Sequence, residues 1–178
     1  MHTEAVNREP IFRDVELGQP EREALDRDGH VAVPGLLAES ARSRLAASLS
    51  YIDSIAAGGS PGHEPSRFAA EYDWYLESLI GHPQLLGMAR AVLGEEIRFD
   101  HCVTLNRAGG NRGITWHTHD YSAQDPTLGF IRIFFSVTGL VPEDGGLKVV
   151  PGSHLFRQQL HGLTDCELRA GSTAAATR

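Results

Sequence analysis

Residues 111–154 read NRGITWHTHDYSAQDPTLGFIRIFFSVTGLVPEDGGLKVVPGSH, and the fold turns on how this stretch is read. From Gly129 to Thr138 the residues alternate, with Ile131, Ile133, Phe135 and Val137 on one face and Phe130, Arg132, Phe134 and Ser136 on the other. β-Branched and aromatic residues at period two predict a half-buried strand. Leu147 to Val150 predicts another, entered through the turn Pro142 to Gly146 and ended by Pro151-Gly152. Upstream, Trp116-His117-Thr118-His119-Asp120-Tyr121 also has strand character. On a strand, residues i and i+2 point to the same side. His117 and His119 then aim two imidazoles at one point, with Trp116 and Thr118 opposite. Neutral imidazole is the commonest protein metal ligand, so this pair supplies half of a metal site.

Outward from this stretch the chain divides in character. Ile97, Phe99, His101, Val103 and Leu105 alternate with Arg98, Asp100, Cys102, Thr104 and Asn106, which predicts a long half-buried strand. Ala108 to Gly113 is glycine-rich but lacks phosphate-loop spacing and precedes a strand, so it reads as a turn. Everything earlier is mainly helical, apart from a short strand, His30 to Val33, closed by Pro34-Gly35. Helices are predicted over Pro20 to Asp28, Glu39 to Ala57, Asp73 to Ile80 and Pro83 to Leu93. Prolines stand at first-turn positions, Asp73 at an N-cap, and Gly29, Gly58 and Gly94 at the stops. In the longest helix Leu45, Leu49, Ile52 and Ile55 form one apolar stripe. His82 sits at a helix junction and reads as structural. Residues 58–66 form a loop rich in Gly, Pro and Ser.

This order, helices first and short strands after, predicts an α+β fold whose strands build a sandwich or barrel. The expected layout is a flexible arm (1–19), a single domain (20–160, helical over 20–95 and β over 96–160) and an irregular tail (161–178). The 178 residues suit one domain. A net charge of -7 without a Lys/Arg cluster speaks against nucleic acid as a partner. No apolar run reaches the roughly 18 residues of a membrane span. Two cysteines make no disulfide framework, and the first 13 residues carry no apolar secretory segment. A cytoplasmic protein acting on a small molecule is the simplest expectation.

Two histidines and a carboxylate with open positions suit non-haem Fe(II), and zinc accepts a similar set. At this point "DRDGHVAVPGLL" (26–37), "NRAGGNRGITWHTHDY" (106–121) and "EDGGLKVVPGSHLFR" (143–157) together resemble the phytanoyl-CoA dioxygenase family. The likeness spans roughly residues 20–160. It implies a double-stranded β-helix (jelly roll) carrying Fe(II), with 2-oxoglutarate as co-substrate, and a hydroxylated product formed alongside succinate. His117 falls on the family's first metal ligand. The carboxylate position falls on His119, a departure; either His119 itself ligates or Asp120 reaches the metal through a bulge. Asn106 matches a position beside the 2-oxoglutarate site.

A second departure lies downstream. The family's last histidine ligand and its 2-oxoglutarate arginine have no counterpart in a matching context. Five strands are found where a jelly roll has eight. The expectation is therefore a jelly roll incomplete at its C-terminus. Arg132 is a further candidate for a co-substrate carboxylate, or else a surface arginine lying over Phe130 and Phe134. His154 reads as a turn residue. Two other readings stay open: a non-catalytic family relative, and a cupin-like metal enzyme, which would need a glutamate where Ala123 and Gln124 stand.

Overall fold

The computed structural model describes residues 9–13, 17–59, 62–106, 116–117, 129–139 and 146–156. The chain forms two compact units. One holds residues 1–15, 35–109 and 131–139; the other holds 16–34, 110–130 and 140–178. Four α-helices are present among the described residues: α1 (Gln19–Asp28), α2 (Glu39–Ala57), α3 (Trp74–Ile80) and α4 (Pro83–Leu93). Short 3-10 turns cover Ala69–Glu71 and Ser153–Phe156.

The first unit is packed around α2. Ala41, Leu45, Ser48 and Ile52 are its buried positions, at spacings of four, three and four, which is one helical stripe. Ile52 is fully enclosed, while Leu49 and Ile55 border the same core. Helix α3 buries Tyr75, Leu76 and Leu79. It starts at Asp73, whose carboxylate Oδ1 accepts the Leu76 N–H at 2.9 Å. That is side-chain capping of an otherwise orphaned helix donor. Helix α4 leans on the core through Leu85 and Met88. His82 caps it. The His82 Nδ1 accepts from the Gln84 N–H at 3.3 Å and its Nε2–H donates to the Glu9 carbonyl at 2.9 Å. The two partners fix the Nε2–H tautomer of a buried ring.

Residues 9–13 are tied to this body. Ile11 and Phe12 are buried, and both their N–H groups donate to Gln84 Oε1. Arg13 N–H donates to the Leu36 carbonyl, Ala38 N–H to the Ile11 carbonyl, and Phe12 makes an isolated antiparallel bridge with Leu37. The Phe12 and Phe135 rings lie 6.0 Å apart.

The predicted jelly roll is overturned. Among the described residues there is no β-strand and no sheet; the segments 97–106 and 129–136 carry no regular secondary structure. The reason is where their backbone groups go. Cys102 gives its carbonyl to the Ala69 N–H at 2.9 Å, and Thr104 gives its N–H to the Ser66 carbonyl at 2.8 Å. The segment pairs with an irregular loop, which cannot propagate a ladder. Ile97 and His101 are half-buried beside exposed Arg98 and Asp100, as expected, but over 102–105 the alternation faces the other way. Phe99, Val103 and Leu105 are exposed, whereas Thr104 is buried and Cys102 borders the core. Residues 130–133 are half-buried throughout, and the alternation holds only from Ile133 on: Phe135 and Val137 reach the core while Phe134 and Ser136 are exposed. This segment then turns, with Gly139 N–H donating to the Ser136 carbonyl.

In the second unit, α1 ends on Gly29 at φ 75°, the left-handed conformation that favours glycine. Pro151-Gly152-Ser153-His154 closes over that helix end. The Gly152 N–H donates to the Asp28 carbonyl at 2.9 Å, and the His154 Nε2–H donates to the Asp26 carbonyl at 3.0 Å. Carbonyls left open by the last turn of a helix are thus satisfied by a segment more than a hundred residues away in sequence. Arg27 pairs with Asp28 at 2.6 Å and holds that carboxyl below its ordinary range.

Candidate functional site

His117 is described, is exposed, and belongs to the second unit. His119 and Asp120 lie outside the described residues, so the ligand pairing expected of them does too. Asn106 and Arg132 belong to the first unit. The Asn106 side-chain N–H donates to Asp53 of α2, which ties the end of segment 97–106 to the helix. Arg132 is half-buried. His154 holds the helix end just described, and that is a structural task.

The donor set fits iron in chemical type, since imidazole and carboxylate together are the ligands of open non-haem Fe(II) sites. Among the described residues no group of three His, Cys, Asp or Glu side chains is placed to hold a metal. Cys102 adds no candidate nucleophile. Burial pushes its thiol up, with the Asp73 carboxylate acting the same way, and a thiol kept protonated is unreactive.

A groove beside α2 was not anticipated. Its volume is about 530 Å³. One wall is the stripe Arg44, Ser48 and Tyr51, spaced four and three along α2. The other is the turn into α3, with Tyr72, Asp73, Trp74 and Tyr75. Ser48 Oγ donates to Asp73 Oδ1 at 3.0 Å, joining the two walls through a buried bond. Arg44 pairs with Glu9 at 3.1 Å, and its guanidinium lies 5.7 Å from the centre of the Tyr75 ring. Burial pushes the Tyr75 phenol up. The sequence does hold a signal for the groove: Arg44 and Tyr51 flank the buried polar position Ser48 at helical spacing. Their polarity disguises them as a solvated face.

Compared with known proteins, the chain matches no family model, no curated protein and no solved structure. The helix-end junction brings together two of the three segments that carry the family resemblance, 26–37 and 143–157.

Proposed function

We propose that the chain is a non-haem Fe(II)- and 2-oxoglutarate-dependent oxygenase of the phytanoyl-CoA dioxygenase type, acting on a small organic substrate in the cytoplasm. The reading rests on the three sequence segments and on their donor set, not on a barrel. One observation carries it. "DRDGH" and "PGSH", far apart in sequence, meet through the Gly152 to Asp28 and His154 to Asp26 bonds, in the unit that also contains His117. Segments that resemble one family in the same order have here a shared structural task.

His117, with His119 or Asp120, would hold the iron. The chemistry the metal supplies is activation of dioxygen, coupled to decarboxylation of 2-oxoglutarate to succinate and hydroxylation of the substrate. Asn106 and Arg132 are the positions proposed for 2-oxoglutarate. The Asn106 amide has a partner in Asp53, which a co-substrate carboxylate would have to share or displace.

The test is spectroscopic and anaerobic. Fe(II) and 2-oxoglutarate are added to the purified chain and the visible spectrum is recorded. The expected result is a weak metal-to-ligand charge-transfer band that is abolished in His117→Ala, with both proteins shown to be folded by circular dichroism. A folded protein that gives no band overturns the proposal, as does a band that His117→Ala leaves in place.

A further inference from the structure

The groove on α2 carries an inference that does not depend on iron chemistry. Asp73 is only 9% exposed. Its Oδ1 accepts from Ser48 and from the Leu76 N–H. Among the described residues its Oδ2 accepts no hydrogen bond, and no cation pairs with it. Oδ2 is not among the buried polar atoms left without a partner, so it opens to solvent on the groove side, where a cation can reach it. The cation of the groove, Arg44, is engaged elsewhere, by Glu9 and by the face of Tyr75. The charges of Arg44 and Glu9 offset one another, which leaves Asp73 as the groove's carboxylate with no ion-pair partner among the described residues.

The rest of the wall is aromatic. Trp74 is 55% exposed and Tyr51 49% exposed, with Tyr72 beside them. Trp74 packs edge-on against Tyr75 with ring centroids 6.0 Å apart, and aromatic faces attract cations through their negative quadrupole. A volume of about 530 Å³ suits a small molecule. A hard metal cation would need several oxygen ligands, and the groove offers one carboxylate among rings. An anion would meet Asp73 with no cation free of its own carboxylate. We propose that this groove binds a small organic ammonium ion, methylated or aryl-substituted, with its positive centre on Asp73 and its apolar groups against Trp74 and Tyr51.

The test uses the full chain carrying Trp116→Phe, so that Trp74 is the remaining indole. Its fluorescence is followed during titration with tetramethylammonium, benzyltrimethylammonium and, as the anionic counterpart, benzoate. No metal or 2-oxoglutarate is added, so the outcome is separate from that of the oxygenase test. Saturable binding of the ammonium ions and none of benzoate is expected. Asp73→Asn should weaken binding about tenfold or more, the scale of one lost charge-assisted interaction. Asparagine is an equally good N-cap, so α3 should persist in this variant. Tyr51→Leu, at an exposed position, should weaken binding, and Arg44→Gln should strengthen it by removing a like charge. Absence of saturable ammonium binding overturns the proposal. So does unchanged affinity in folded Asp73→Asn, or binding of benzoate that Arg44→Gln abolishes.

Discussion

Helix α2 and segment 97–106 are both amphipathic on paper, yet the structure treats them oppositely. In α2 the apolar stripe lies on the buried side, Leu45 and Ile52 enclosed and Leu49 and Ile55 at the border of the core, and every internal backbone bond is made within the helix. In 97–106 Phe99, Val103 and Leu105 of the apolar set face out and Ile97 is half-buried, while Thr104 goes in. The difference lies in who satisfies the backbone. A helix closes its own hydrogen bonds, so its side chains alone decide which face turns inward. An extended segment depends on a partner, and here the partner is the 66–69 loop. That pairing sets the facing, and the apolar pattern yields to it.

Truncation in the two regions separates them most sharply. Ile52 is fully enclosed on the α2 stripe, so Ile52→Ala removes buried methylenes and leaves a cavity. Thermal or urea unfolding should show a loss of about 2–5 kcal/mol. Leu105→Ala, at a side chain 56% exposed, should change stability by no more than about 0.5 kcal/mol. Comparable costs at the two sites would mean that Leu105 is covered in solution and would break the comparison.

The second unit offers an intermediate case, a helix whose end is completed from a distance. A Cβ on Gly29 would stand 2.3 Å from the His154 Nδ1 and 3.1 Å from its Cβ. The conflict reaches the root of that side chain, so rotation of the ring does not relieve it. The left-handed backbone adds its own penalty of roughly 1–2 kcal/mol for a residue with a side chain. Gly29→Ala should therefore cost about 1–3 kcal/mol, read by unfolding. His154→Ala in that background should add little, since its bond to Asp26 is already lost. Full additivity of the two changes would show that the histidine does not close over α1 in solution.

The legible parts of the chain follow the same division. All four helices were predictable, because caps and stops are local: Asp73 at an N-cap, Pro83 in a first turn, Gly29 at a left-handed end. The junction position of His82 likewise reads as structural, and its ring bonds Gln84 and Glu9 at the start of α4. The β architecture was not legible, because periodicity in 97–105 specifies a preferred facing and not a partner. The groove was missed for a different reason. Asp73 was recognised for the bond it gives the helix, and a capping residue does not disclose in sequence that its other oxygen is left over. Of the expected metal ligands, only His117 lies among the described residues.

The smallest effect concerns the one place where the loop partnership leaves something undone. Thr104 satisfies its backbone through Ser66, yet its hydroxyl is buried and, among the described residues, has no hydrogen-bond partner. A buried polar group left unpaired costs about 1–3 kcal/mol relative to one that is paired or in water. Thr104→Val keeps the branched shape and replaces the hydroxyl with a methyl group, which removes that cost without opening a cavity. The usual penalty for this exchange arises from a broken bond, and here there is none to break. Stability should rise by about 1 kcal/mol, visible as a higher midpoint in urea at an unchanged slope. A fall of similar size would mean that the hydroxyl has a partner in solution. Segment 97–106 would then be held by a specific side-chain contact as well as by its backbone, and the inward turn of Thr104 would have a cause of its own rather than being imposed by the loop.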